Sequence, residues 1–392
     1  MKIFIVAGEQ SGDQLGFKLM RALQQQLGGE AVFAGVGGDA MVAEGLESLF
    51  PMADIAVMGI VPVIRRLPSL LARIAQTARV AAAARPDVLV LIDSPDFTHR
   101  VAARVRKLLP DLPVVDYVSP TVWAWRPGRA KKMRPFVDHV LALLPFEPDA
   151  HRRLGGPDCT YVGHPLIERL AELRPDAAEA ARREQAPPRI LVMPGSRRSE
   201  IDRFMPDFGA ALALVAARIG PVEAVIPAVS HLECQIRRHG ATWPVQPEIV
   251  VGETAKFAAF RTARAALCKS GTGTLELALA GVPMAVAYKM GRLEYMLRFL
   301  VTAPSIVLPN LVLGERVVPE FLQEKCTPQA LADALLPLLA DSDARAAQIA
   351  GLRRLDNLMQ LGAGDTPSAK AARIVIATAR PLIVLQRTTS RG

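Results

Sequence analysis

Residues 264–289 read RAALCKSGTGTLELALAGVPMAVAYK. Ala265 to Cys268 are apolar and short enough for a buried strand. Ser270-Gly271-Thr272-Gly273-Thr274 form a small-residue turn, and Leu275 to Ala280 form an apolar helix stopped by Gly281. After Pro283 the run Met284 to Tyr288 re-enters as a second strand. Such a strand–loop–helix–strand unit puts its small-residue loop at the carboxyl end of a strand. Backbone N–H groups and the positive end of the helix dipole meet there, which suits a phosphate. Plain capping of a helix by Ser and Thr is the commoner reading of such a loop. Glu276 favours a nucleotide, because one turn into the helix its carboxylate reaches a ribose hydroxyl lying over the loop.

The same grammar recurs upstream. Ile190 to Met193 is a strand that runs into Pro194-Gly195-Ser196-Arg197-Arg198-Ser199-Glu200-Ile201, a Gly-Ser turn ahead of a helix. Arg197 pairs with a diphosphate in this setting and meets negative charge developing on a leaving group. A surface arginine at a helix start is the plainer reading, although the helix dipole disfavours a cation there.

The first half alternates in the same way. Ile3 to Ala7 is a strand, Gly8 to Asp13 a polar glycine loop, and Leu15, Leu19, Leu23 and Leu27 mark one face of a helix. Further strands fall at Ala31 to Val36, Val88 to Ile92, Val114 to Val118, His139 to Leu144 and Cys159 to Val162. Alternating strands and helices predict α/β architecture with mostly parallel sheets. A GxGxxA match at Gly35, Gly37 and Ala40 is discounted, because the first βα unit lies upstream.

Asp93 stands at the carboxyl end of the apolar run Val88–Ile92, where open α/β sheets place their chemistry, and is a candidate general base. Asp96 reads as a cap of the next helix, and capping is the plain alternative for Asp93 too. Met58 to Leu71 carries apolar residues almost all round, among them Val63, Ile64 and Leu67, with Arg65, Arg66 and Arg73. It reads as a half-buried core helix or as an exposed apolar face for a lipid tail or membrane. Trp123 and Arg126, in the loop after Val118, are candidates for a sugar wall and an anion contact; packing under the loop is the alternative.

At 392 residues, 51% hydrophobic and 22% charged, the chain suffices for two globular domains. The expected boundaries are 1–164 for an N-terminal acceptor-binding domain, 165–189 for a linker, 190–340 for a C-terminal donor-binding domain and 341–392 for helices packing back on the core. The start reads as a first strand, not a signal peptide, and no apolar run approaches a membrane span. A net charge of +9 fits an anionic partner. Nucleic acid is disfavoured, since aromatics are 5% and are not interleaved with the basic residues. Cys159, Cys234, Cys268 and Cys326 lack metal or CxxC spacing and read as buried free thiols; no metal site is expected. Asp341-Ser342-Asp343 spells DxD but lies between helices, so it reads as a cap. No Walker, HExxH or G-x-S-x-G motif occurs.

The strings GEQSGD (8–13), DIAVMGI (54–60), DSPDF (93–97), YVSPTVWAWR (117–126), LPFE (144–147), VGHPL (162–166), PGSRRSEI (194–201), SGTGTLE (270–276) and LPNL (308–311) resemble the lipid-A-disaccharide synthase family of GT-B glycosyltransferases. The resemblance implies two Rossmann-like domains facing a cleft. It also implies an inverting transfer from UDP-2,3-diacylglucosamine to the 6-hydroxyl of 2,3-diacylglucosamine 1-phosphate, without cofactor or metal. By that resemblance Asp93 is the base, and Arg197, Ser270, Gly271, Thr272, Thr274, Glu276 and Asn310 hold the UDP donor. Ser11, Asp96, Trp123, Arg126, Met58, Val63, Ile64 and Leu67 are expected near the acceptor or lipid. The expected location is cytoplasmic, peripheral on the inner-membrane surface; a homo-oligomer is left open. The alternatives are another UDP-N-acetylglucosamine-using GT-B enzyme, of the peptidoglycan-transferase or 2-epimerase kind, or a non-catalytic lipid- or nucleotide-binding protein.

Overall fold

The computed structural model describes residues 1–55, 60–291 and 302–379, with the side chains of 60–65 outside the description. Its contacts divide the chain into two compact units: Met1–Pro165 together with the chain from Leu361 onward, and Leu166–Gln360.

The first unit is built on a seven-stranded sheet, ordered β3 (Glu47–Ser48), β2 (Val32–Val36), β1 (Lys2–Ala7), β4 (Val88–Ile92), β5 (Val114–Tyr117), β6 (His139–Ala142) and β7 (Asp158–Tyr161). Every adjacent pair is parallel. All five side chains of β4 are fully buried, as a strand covered on both faces requires. One face packs Leu19 and Leu23 against Ile3, Ile5, Val88 and Val90. The other packs Ile74, Ala78 and Val101 against Phe4, Val6, Leu89 and Leu91.

The second unit repeats the plan with β10 (Pro247–Val251), β9 (Glu223–Ala228), β8 (Arg189–Met193), β11 (Ala265–Lys269), β12 (Met284–Tyr288) and β13 (Glu320–Leu322), again all parallel. Counted within each unit, the second sheet runs 3-2-1-4-5-6, the Rossmann order, and the first runs the same with a seventh strand added after the sixth. The chain therefore reverses direction across the sheet between β1 and β4 in one unit and between β8 and β11 in the other. Loops splay apart at those two points.

Of residues 165–189, expected as a linker, all from Leu166 on are built into the second unit. Asp176 and Glu179 form a capping box for the helix Ala177–Arg183. At its end the buried Arg183 donates to the carbonyls of Phe260, Arg261 and Ala280. The C-terminal helices separate: Asp343–Met359 lies in the second unit, while Pro367–Thr378 packs Ala371, Ala372 and Val375 into the first unit's core. Ser342 caps the former helix and Asp341 accepts from Arg264 at 2.6 Å, so the DxD string is structural. Cys268 and Cys326 are buried and Cys159 is half-buried, but Cys234 is exposed, contrary to expectation. Among the described residues no helix is long and apolar enough to cross a membrane, and no cluster of His, Cys, Asp and Glu is suited to a metal.

Candidate active site

Each reversal point carries a cavity. In the first unit a cavity of about 500 Å³ opens between the loops that follow β1 and β4. Ser11 and Ser94 line one end, and Leu67, Leu70, Leu71 and Ile74 form an apolar wall. Those three leucines and the isoleucine share one face of the helix Ile60–Ala84, at i, i+3, i+4 and i+7.

Asp93 sits beside the polar end. Its Oδ1 accepts the N–H of Ser94 at 2.8 Å and its Oδ2 lies 3.4 Å from Ser11 Oγ. A second link crosses the loops, Ser94 Oγ donating to Glu9 at 3.1 Å. The approach is close enough that a Cβ at Gly8 would stand 2.4 Å from the Cβ of Ser94, so only glycine fits. Asp93 and Ser94 are both left-handed, φ +56° and +46°. Such conformations cost about 1–3 kcal/mol each in non-glycine residues and cluster where a site must be held open. Here the strain lifts Asp93 out of strand geometry toward the loops. Asp96 does not cap the helix Pro95–Leu108, whose N-cap is Ser94. It is exposed at the cavity rim and accepts from Arg129 at 2.9 Å.

Leu67 and Leu71 are 43% and 37% exposed, whereas Ile74, Ala78 and Ala81 farther along the same helix are buried. The helix is therefore a core element in its second half and an apolar surface at 67–71. Met58 lies outside the described residues, as do the side chains of Val63 and Ile64.

Trp123 and Arg126 line neither cavity. The Trp123 indole packs edge-on to Phe146, with centroids 5.2 Å apart, and donates to Glu147 at 3.1 Å. Glu147 is buried and also accepts the N–H groups of Leu143 and Leu144. Burial pushes its carboxyl up to about 7, against the pull of those three donors. Arg126 stacks on Trp125 at 4.0 Å. These residues anchor the loop after β5; the indole N–H needed a buried partner, and Glu147 supplies one.

In the second unit a cavity of about 600 Å³ lies between the loops after β8 and β11. Arg197, Gly271, Thr272 and Glu276 line it. Glu276 is held by Lys256 at 2.8 Å. Glu200 Oε2 accepts the N–H of Ser196 at 2.9 Å and of Arg197 at 3.2 Å, while its Oε1 meets Lys269 Nζ at 3.0 Å. The turn at 194–197 therefore caps itself with an internal carboxylate, and Arg197, Lys256 and Lys269 are the cations that line the cavity. The Glu200 carboxyl is half desolvated, which opposes ionisation, yet Lys269 holds it below its ordinary value. Gly271, at φ +152°, leaves space that a Cβ would close to 3.4 Å from the Lys269 ammonium.

Three residues expected at the donor do not line this cavity. Ser270 Oγ donates to the carbonyl of Ile306 at 2.5 Å, and the buried Thr274 Oγ1 donates to the carbonyl of Gly271 at 2.8 Å. Asn310 is buried; its amide donates to Val318 and Glu320, and its oxygen accepts from the N–H groups of Val317 and Val318. These hydroxyls and this amide are occupied in shaping loops. The cavity's lysines, Lys256 and Lys269, were not singled out from sequence; a lone cation closing the apolar strand AALCK was the available signal.

A family model described as LpxB, lipid-A-disaccharide synthetase, matches residues 3–374. A lipid-A-disaccharide synthase of Rhodopseudomonas palustris (strain BisB18) is 57% identical over 376 residues, covering 96% of this chain and 95% of its own. That of Rhodospirillum centenum (strain ATCC 51521 / SW) is 43% identical over 390 residues, covering 98% and 96%. Among solved structures, the UDP-GlcNAc 2-epimerase of Neisseria meningitidis bound to UDP-GlcNAc matches with TM-score 0.60 at 11% identity, covering 96% of this chain and 99% of its own. Acinetobacter baumannii MurG matches with TM-score 0.56 at 15% identity, covering 96% and 98%. At such identities the structural likeness establishes the GT-B fold alone.

Proposed function

The chain belongs to the lipid-A-disaccharide synthase family and is a GT-B glycosyltransferase of lipid A disaccharide synthesis; on that premise we propose how its two units divide the reaction. The first unit binds 2,3-diacylglucosamine 1-phosphate, its acyl chains against the apolar wall around Leu67 and its 6-hydroxyl at Asp93. The second unit binds UDP-2,3-diacylglucosamine through the diphosphate and ribose. Asp93 takes the proton of the 6-hydroxyl as that oxygen attacks the donor's C1. The bond from C1 to the diphosphate oxygen breaks on the opposite face, so an α-linked donor gives a β-1,6-linked disaccharide 1-phosphate and UDP. Arg197, with Lys269 and the N–H groups at Gly271 and Thr272, meets the charge that develops on the departing UDP. Glu276, oriented by Lys256, accepts from a ribose hydroxyl.

One observation carries this division. The two reversal points bear chemically different cavities, one walled by leucines beside Asp93 and one lined by Arg197, Lys256 and Lys269 set among three glutamates. The exposed apolar surface at 67–71 supports peripheral contact with the inner-membrane face where such lipids reside. Incubation with the two acylated substrates, followed by mass detection of the tetraacyl disaccharide 1-phosphate and UDP, tests the reading. Turnover of unacylated UDP-N-acetylglucosamine at a comparable rate would sink it.

A further inference from the structure

The first-unit cavity has one lining residue whose charge the reaction above does not use. Arg100 lies one turn beyond Asp96 on the helix Pro95–Leu108 and lines the same cavity as Ser11, Ser94 and Leu67. It is exposed, and among the described residues it makes no hydrogen bond or ion pair. Asp96, its neighbour at i−4, is already taken by Arg129 at 2.9 Å. The other charged lining residues are the carboxylates Glu9 and Asp96, so Arg100 is the sole cation among the described residues that line this cavity. An unpaired guanidinium at the mouth of an apolar cavity offers a planar fork of donors to a carboxylate or phosphate.

Resting on the reading that this cavity takes the acylated acceptor, we propose that Arg100 binds the acceptor's 1-phosphate and selects the phosphorylated acylglucosamine over its phosphate-free form. The spacing suits that role. From Pro95 to Arg100 the helix advances about 7.5 Å, and the arginine side chain adds reach. On a pyranose ring C1 and C5 both flank the ring oxygen, so the C1 phosphate lies only a few bonds from the 6-hydroxyl. With the 6-hydroxyl at Asp93, the phosphate stays within the stretch that the Arg100 side chain, lining the same cavity, can span. Glu9 and Asp96 repel a phosphate placed elsewhere at the rim, which sharpens the orientation.

The same phosphate-ester chemistry is present on phospholipid headgroups, so the test separates the two sources. Wild type, Arg100→Gln and Arg100→Lys are assayed in neutral detergent micelles free of phospholipid, with the diacylglucosamine acceptor bearing or lacking its 1-phosphate. Thermal melts check that the variants fold. The wild type is expected to prefer the phosphorylated acceptor, and Arg100→Gln to lose about tenfold or more of that preference through acceptor KM. Donor KM, UDP affinity and kcat at saturating acceptor stay unchanged, and Arg100→Lys recovers part of the preference. An undiminished preference in Arg100→Gln overturns the proposal. So does an unchanged preference accompanied by weaker binding to anionic phospholipid vesicles, which would assign Arg100 to a headgroup. A wild-type chain that makes no disaccharide from either acceptor removes the parent reading, and this one with it.

Discussion

The ammonium of Lys269 stands 3.0 Å from the carboxylate of Glu200 where β8 and β11 run side by side. Glu200 at the same time closes the N–H pair of Ser196 and Arg197, so the turn that most resembles a phosphate cradle is already occupied by the protein's own anion. On the proposed reading Lys269 lines the cavity that takes the diphosphate. Replacing Lys269 by Met is expected to weaken UDP binding by about tenfold or more, the worth of a charge-assisted hydrogen bond, and to leave uridine binding unchanged. Calorimetry with both ligands decides; an equal fall for UDP and uridine would mean that the lysine only supports the loop.

Arg197 is 64% exposed, and among the described residues its side chain meets only Glu200, at 3.5 Å. So loose a side chain is free to turn onto a ligand. Arg197→Ala is expected to lower UDP affinity and turnover together, by about tenfold each, with the melting temperature nearly constant. Unchanged affinity in a titration would remove Arg197 from the donor site.

Much of this architecture was legible in the sequence because α/β units announce themselves. Apolar runs such as Val88–Ile92 and Ala265–Cys268, each followed by small polar residues and an amphipathic helix, mark strand ends, and strand ends are where these folds place sites. Asp93, Arg197, Gly271 and Glu276 could be picked on that ground. Asn310, Ser270, Thr274 and Trp123 could not be sorted, because a polar side chain spent on a carbonyl and one offered to a ligand have the same letter. Leu70, Leu71 and Ile74 were readable from their i, i+3, i+4 spacing with Leu67. The Glu200–Lys269 pair was not, since 69 residues separate its members and no local pattern links them.

Glu147 makes stability pH-dependent in a defined sense. Its carboxyl is raised from 4.5 to about 7 in the folded chain. Between those values the folded state binds a proton that the unfolded state has released, so stability present at low pH is lost as pH rises toward 7. The loss is of the order of 3 kcal/mol. Denaturant melts of the wild type and Glu147→Gln across that window should show a slope that the variant lacks. Parallel curves would mean that Glu147 is already ionised at low pH.

The exposed leucines of the helix Ile60–Ala84 carry the lipid reading. Leu67→Ser with Leu71→Ser is expected to reduce co-sedimentation with anionic liposomes several-fold and to raise the acylated acceptor's KM, because both leucines leave water on contact with acyl chains. The melting temperature should barely move, given their exposure in the free chain. Undiminished sedimentation and KM would leave the surface at 67–71 without a lipid partner.

The central claim is that the chain condenses two acylated glucosamines with Asp93 as the base. Asp93→Asn keeps the size of the side chain and an oxygen for the N–H of Ser94, but removes the proton acceptor. The decisive measurement is the rate of disaccharide formation by this variant beside its UDP affinity. A loss of about 100-fold or more in turnover at unchanged UDP affinity is the predicted result. Disaccharide formed at near wild-type rate would contradict it and move the base elsewhere.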